Sequence, residues 1–132
     1  MAASVADAVA AADVVLLMLA DAAAIQAALL PAGAAAALAG KTVLQMGTIG
    51  PDDSREIAAI VGAAGGTYLE APVLGSQPEA AKGTLLVMIG CEGEAEASRA
   101  WPVLTALGEA PLRVGEVCLC TCHACKLGHD LR

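Results

Sequence analysis

The sequence predicts an α/β fold, a mostly parallel sheet with helices on both faces, and three observations carry that prediction. Short uninterrupted apolar runs such as Val14-Val-Leu-Leu-Met-Leu19 have the pattern of strands buried on both sides. Between these runs lie segments with apolar residues at helical spacing. The apolar residues are mostly Ala, Val and Leu, with no Phe, one Tyr and one Trp, which suits helices packed closely on a sheet better than an aromatic-rich sandwich.

Taken in order, Val14 to Leu19 is the first strand. Ala22 to Leu38 is Ala-rich and is broken by Pro31 and Gly33, so one helix is expected to about Leu30 and a second, short one before Gly40. Thr42-Val-Leu-Gln-Met46 is the second strand. Gly50-Pro-Asp-Asp53 is a helix start, because Pro suits the first helical position and the acids suit the positive end of the dipole. Ile57, Ile60, Val61 and Ala64 form the core stripe of that helix, which Gly65-Gly66 ends. Thr67-Tyr-Leu-Glu-Ala71 is a third strand, followed by a loop from Pro72 to Pro78 and a fourth strand, Thr84 to Ile89. The absence of a long helix between these two strands predicts a mixed edge to the sheet. Ala97, Ala100, Trp101, Leu104 and Leu107 mark another helix ended by Gly108, in which Pro102 either kinks the chain or sets a later start. Leu112 to Gly115 is the last strand.

Composition excludes several classes of function. A formal charge of −7 repels phosphate backbones, and no Lys/Arg cluster offsets it, so no nucleic-acid partner is expected. Asp13, Asp21 and Gln26 interrupt the apolar N-terminal third, so no run spans a bilayer and no membrane partner is expected. The opening Met-Ala-Ala-Ser-Val-Ala-Asp has no basic region and matches neither a secretory signal nor a transit peptide. Four of the five cysteines crowd into Cys118 to Cys125, which argues against a disulfide framework. A cytoplasmic protein with reduced thiols is the expectation.

Ligands of a parallel α/β sheet bind beyond the carboxyl ends of its strands. The residues at those positions are Leu19-Ala20-Asp21, Gly47-Thr48 and Ala71 to Ser76. Thr48 either meets a nucleotide or, with Gly50, caps the helix behind it. The loop from Pro72 to Pro78 either holds a carboxylate on its bared amides or is a tight connection. Asp52 and Asp53 suit the helix dipole better than acid-base chemistry, Glu70 is expected to pair or face solvent at its strand end, and Cys91 is read as a small core residue.

Several motifs in order carry a family resemblance: Ala12-Asp-Val-Val-Leu-Leu-Met-Leu-Ala-Asp21, Gly40-Lys-Thr-Val-Leu-Gln-Met-Gly-Thr48, Pro51-Asp-Asp-Ser-Arg-Glu-Ile57, Gly65-Gly-Thr-Tyr-Leu-Glu-Ala-Pro-Val-Leu-Gly-Ser76, Pro78-Glu-Ala80 and Gly83-Thr-Leu-Leu-Val-Met-Ile-Gly90. Together they resemble the β-hydroxyacid dehydrogenase family, which includes 3-hydroxyisobutyrate dehydrogenase and the glyoxylate/succinic semialdehyde reductases and shares the NAD(P)-binding domain of 6-phosphogluconate dehydrogenase. The resemblance runs from about Ala12 to Lys126. It implies a Rossmann-like sheet and hydride transfer between NADP or NAD and a short hydroxy or oxo acid, a small carboxylic acid being the partner. By this analogy Leu19 and Ala20 border the cofactor and Thr48 contacts it near the nicotinamide. Leu74, Gly75 and Ser76 match the substrate-carboxylate loop, with Leu74 where the family usually has Ser, and Lys126 matches the general acid.

The resemblance also sets an expected division: residues 1–117 as a partial NAD(P)-binding domain without the family's N-terminal glycine-rich loop, and 118–132 as a divergent Cys-rich tail at the place where an interdomain helix would start. Weak or no turnover by this stretch alone is expected. No metal is assigned, because Cys122-x-x-Cys125 is a single pair where a structural zinc site draws on two. The alternative is a non-catalytic α/β interaction module that keeps the fold only and self-associates as a homo-oligomer through exposed apolar edges.

Overall fold

The computed structural model describes residues 2–91, 94–109 and 111–115, with residues 94–98 described by backbone alone. In chain order the elements are α1 (Val5–Ala10), β1 (Val14–Leu17), α2 (Ala22–Leu29), α3 (Ala32–Ala37), β2 (Thr42–Gln45), α4 (Pro51–Ala63), β3 (Thr67–Glu70), β4 (Val73–Leu74), α5 (Gln77–Lys82), β5 (Leu86–Gly90), α6 (Glu94–Leu107) and β6 (Leu112–Gly115).

β1, β2 and β3 are parallel neighbours in one register, with Val14 beside Thr42 and Thr42 beside Thr67. Two crossovers produce this order, one through α2 and α3 and one through α4. β5 then runs antiparallel to β3 and to the two-residue β4 and takes β6 in parallel, so the mixed part of the sheet lies beyond β3. The α/β fold with a mostly parallel sheet is as the sequence predicts.

Because side chains alternate along a strand, the sheet supplies two cores. Leu17, Val43 and Tyr68 pack with Val9, Ile25, Leu29, Leu38, Ile57 and Val61 from the side of α1 to α4. Leu44, Leu69, Val87 and Ile89 pack with Ala100 and Leu104 of α6 and with the buried Cys91. Each of these large side chains, removed from water, contributes on the order of 2 kcal/mol to folding.

Several elements depart from the sequence reading. The N-terminal helix α1 was not expected: Asp7 N–H donates to the Ser4 hydroxyl at 3.1 Å, and Lys41 Nζ donates to the Ala10 carbonyl at 3.2 Å. The stretch Pro72 to Pro78, expected as a loop, contains β4 and the first turn of α5, since Pro78 falls where a helix has no partner for its N–H. The fourth strand begins two residues later than expected, at Leu86. α6 runs through Pro102, and Trp101 sits 44 % exposed, outside the core stripe. Of the two alternatives for Glu70, solvent exposure fails and pairing holds: it is fully buried and not without a partner.

Leu69 is fully buried at the centre of β3, whereas Leu30 at the end of α2 is exposed. Leu69→Ala is therefore expected to lower unfolding free energy by about 3 kcal/mol, read as a lower urea midpoint. Leu30→Ala should change it by less than about 0.5 kcal/mol.

Candidate functional site

The shared register ends β1, β2 and β3 at one level, Leu17, Gln45 and Glu70. The turns that follow them form the rim of a crevice. Beyond β1, Met18, Leu19 and Ala20 are exposed, an unfavourable place for large apolar side chains unless something covers them. Asp21 then starts α2, its carboxylate accepting from Ala24 N–H at 2.8 Å.

Beyond β2, the fully buried side-chain amide of Gln45 holds the next turn. Gly47 N–H donates to Gln45 Oε1 at 2.6 Å, and Gln45 Nε2 donates to the Gly47 carbonyl at 3.1 Å. Gly47 also touches the first turn, since a Cβ placed there would lie 3.1 Å from the Leu19 carbonyl oxygen. The turns after β1 and β2 thus approach each other closely at Leu19 and Gly47. The N-cap of α4 is Gly50 and has no side-chain partner, so Thr48 does not serve as the cap and is left exposed at the rim. Ser54 of α4 meets Tyr68 of β3 in a buried hydroxyl pair at 3.0 Å, which pins the helix to the sheet.

Beyond β3, the chain passes through Ala71 and Pro72 into β4, where Leu74 is half-buried. Gly75 has φ +141°, a conformation that favours glycine, and a Cβ there would strike the Leu85 side chain at 2.8 Å. Ser76 starts α5, and its N–H and hydroxyl both donate to one oxygen of Glu79, at 2.7 and 2.6 Å. Those two bonds hold the Glu79 carboxyl below its ordinary value of 4.5. The two Ser76 donors of the loop expected to receive a substrate carboxylate are therefore occupied by one from the chain itself. No hydrogen bond among the described residues joins this loop to Thr48 or Leu19. Lys126 and the cysteine tail lie outside the described residues, and no group of three or more metal-ligating side chains occurs among the described ones.

Gln45, whose amide holds the turn after β2, is a residue that the sequence reading passed over. Its signal was present, a lone polar residue inside the apolar run Val43-Leu44-Gln45-Met46 followed at once by glycine.

A parallel sheet whose adjacent strands end at one level, with a glycine turn and exposed apolar residues beyond them, has the arrangement of a nucleotide-binding α/β domain. Comparison with known proteins makes the assignment specific. The chain belongs to the family of the NAD binding domain of 6-phosphogluconate dehydrogenase, which it matches over residues 1–124. It is 40% identical over 80 residues to 2-hydroxy-3-oxopropionate reductase of Escherichia coli, covering 61% of this chain and 27% of that one. It is 40% identical over 77 residues to NAD-dependent L-serine dehydrogenase of Pseudomonas aeruginosa, covering 58% and 25%. Mycobacterium tuberculosis 3-hydroxyisobutyrate dehydrogenase, solved with L-serine, superposes with a TM-score of 0.90 at 29% identity, over 98% of this chain and 44% of that one. The chain is thus of the β-hydroxyacid dehydrogenase type and spans about a quarter of the length of the curated relatives it matches.

The Ser76–Glu79 contact has a pH signature. Because the folded carboxyl lies below the unfolded 4.5, its stabilising contribution is present above that value and is lost as pH falls through the lower, folded value. The Ser76 amide resonance should hold constant above pH 5 and move as the pH is lowered past about 4.5. In Glu79→Gln the movement should disappear.

Proposed function

We propose that this chain forms the nicotinamide side of the cofactor site in an NAD(P)-dependent oxidoreductase that moves hydride between the cofactor and a short hydroxy or oxo acid. The observation that supports this reading is the close approach of the two turns at Gly47, where a Cβ would lie 3.1 Å from the Leu19 carbonyl oxygen, beyond the level ends of two parallel strands. An apolar ring would cover Leu19 and Ala20, and the Thr48 hydroxyl supplies a short donor at its edge.

The residues present fit that end of a dinucleotide and not its phosphates. The helix N-termini at this end of the sheet, which would otherwise attract anions, already carry carboxylates: Asp21 on α2, Asp52 and Asp53 on α4, Glu79 on α5. Bound here, the nicotinamide would supply or accept hydride. Lys126, by its place in the family pattern, would donate a proton to the oxygen of a carbonyl under reduction, its ammonium also stabilising the developing alkoxide. Leu74, Gly75 and Ser76 would hold the substrate carboxylate, which must compete with Glu79 for the donors of Ser76. The division into residues 1–117 as cofactor domain and 118–132 as a separate tail belongs to this proposal. So does a cytoplasmic location, supported by the odd number and close spacing of the cysteines.

A second reading, a self-associating scaffold, is favoured by the outer edge of β1. Among the described residues β1 pairs with β2 alone, and beside it lies an apolar groove of about 370 Å³ lined by Val5, Val9, Leu16, Met18 and Leu19, among others. An open edge with apolar walls invites another strand.

Titration of the chain with NADH and NADPH, followed by nicotinamide fluorescence, tests the first reading. Binding is expected to weaken by about three- to tenfold in Thr48→Val, the range for one lost hydrogen bond. No binding at millimolar cofactor leaves only shared ancestry. With glyoxylate or succinic semialdehyde as substrate, Lys126→Ala should lower any turnover by about 100-fold or more without changing cofactor affinity. For the second reading, sedimentation velocity should show concentration-dependent association that Leu16→Lys abolishes, and a monomer at every concentration rejects it.

A further inference from the structure

We propose that Gln45 is the positioning residue of the cofactor crevice: its buried amide fixes the Gly47–Thr48 peptide so that the Thr48 N–H points outward as a donor for the nicotinamide end of the dinucleotide. The inference rests on the cofactor reading above and assigns a task to a residue that the reading does not use.

The geometry leads there in three steps. Gln45 Oε1 accepts from Gly47 N–H, and Gln45 Nε2 donates to the Gly47 carbonyl, so one rigid amide grips both ends of one residue. In a trans peptide the N–H points opposite to the preceding C=O. The Gly47 carbonyl faces the buried Gln45, and the Thr48 N–H must therefore face away from the sheet, toward the rim. Finally, among the described residues that N–H takes no backbone or side-chain partner, while Thr48 itself is exposed. A donor so placed is left free for a ligand.

The cost of the arrangement points the same way. A polar amide at the end of a buried strand must be fully satisfied, and an apolar residue of the same length would fill the space without that demand. Gln45 meets the demand inside its own turn, where its bonds settle the orientation of a peptide rather than joining two elements. Gly47 completes the device, because its bare Cα lets the Leu19 carbonyl come close and holds the two turns at one spacing.

The test uses the whole 132-residue chain with NADH and NADPH as probes. Gln45→Met removes both bonds at nearly constant volume, and Gln45→Glu keeps only the acceptor. Ile57→Val, a core change away from the crevice, is the stability control. Gln45→Met and Gln45→Glu are both expected to weaken cofactor binding by about tenfold, and Ile57→Val to leave it unchanged at a comparable loss of Tm. In the wild type, cofactor should shift and protect the Thr48 amide resonance but not that of Gly47. Equal affinity in Gln45→Met and Ile57→Val overturns the proposal, as does a Thr48 amide that ignores bound cofactor. Should the wild type bind neither nucleotide, the cofactor reading fails by itself and the amide spectra decide the positioning role. Gln45→Met must then move the resonances of Thr48, Leu19 and Ala20, and if only Gly47 moves, Gln45 positions nothing beyond its own turn.

Discussion

The flush register of three parallel strands is the constraint on which the rest depends. Thr42 N–H donates to the Asp13 carbonyl and Met46 N–H to that of Leu17, while Thr67 N–H donates to Lys41 and Ala71 N–H to Gln45. These bonds lie at the two ends of each strand pair and fix where each strand stops. A slip of one residue would exchange the two cores, sending Val43 and Tyr68 to the side of α6 and Leu44 and Leu69 to that of α4. Since both sides are buried, such a slip has no low-energy alternative. The three turns that follow are delivered to one level, and a crevice exists because the strands beneath it end together.

Above that level the chain uses polar groups sparingly and satisfies them locally. Thr42, Gln45, Ser54 and Glu70 are the buried polar residues among those described, and no buried side-chain nitrogen or oxygen there lacks a partner. Leaving such a group unpaired costs about 1–3 kcal/mol, a large share of the stability of a small domain. Gln45 and Glu70 close the carboxyl ends of β2 and β3, while Thr42 lies at the start of β2 and the Ser54–Tyr68 pair joins the first turns of α4 to the sheet. The opposite end closes with glycines, Gly40 and Gly65, in left-handed turns.

How far this could be read from the sequence follows from what each signal measures. Apolar runs and helical spacing report burial, and they located β1, β2, β3, α2, α3, α4 and β6 closely. Burial patterns are weak for α1, where Ala dominates and little faces a core, although Ser4 followed three residues later by Asp7 resembles a helix start. The two prolines around Ser76 obscured a plainer sign, Ser76-Gln-Pro-Glu79, which has the spacing of a capping box, and β4 is too short to show any period. Trp101 fits the helical spacing of the α6 stripe, yet it stands exposed at the edge of that stripe. At the site, the glycine and threonine after β2 were legible as ends of a strand. Gln45 stood out only as a lone polar residue in an apolar run, and its bonds to the turn two places on leave no periodic trace.

Charge placement explains what part of a ligand this crevice can receive. A dinucleotide carries negative charge at its pyrophosphate and an uncharged or positive ring at its nicotinamide, according to redox state. The N-termini of α2, α4 and α5 supply the fixed positive ends that phosphates seek, yet Asp21, the pair Asp52 and Asp53, and Glu79 neutralise them. Arg55, the cation next to this set, is already in an ion pair with Asp52 at 2.6 Å on the open surface. Phosphate brought to these termini would meet carboxylates at each. On the reading proposed above, the ring end would meet apolar Leu19 and the neutral donors of Thr48, and an oxidised, cationic nicotinamide would also gain from the acidic surroundings. On that reading, the nicotinamide would lie over the turns after β1 and β2, with the phosphates kept off the helix N-termini that carry Asp52, Asp53 and Glu79.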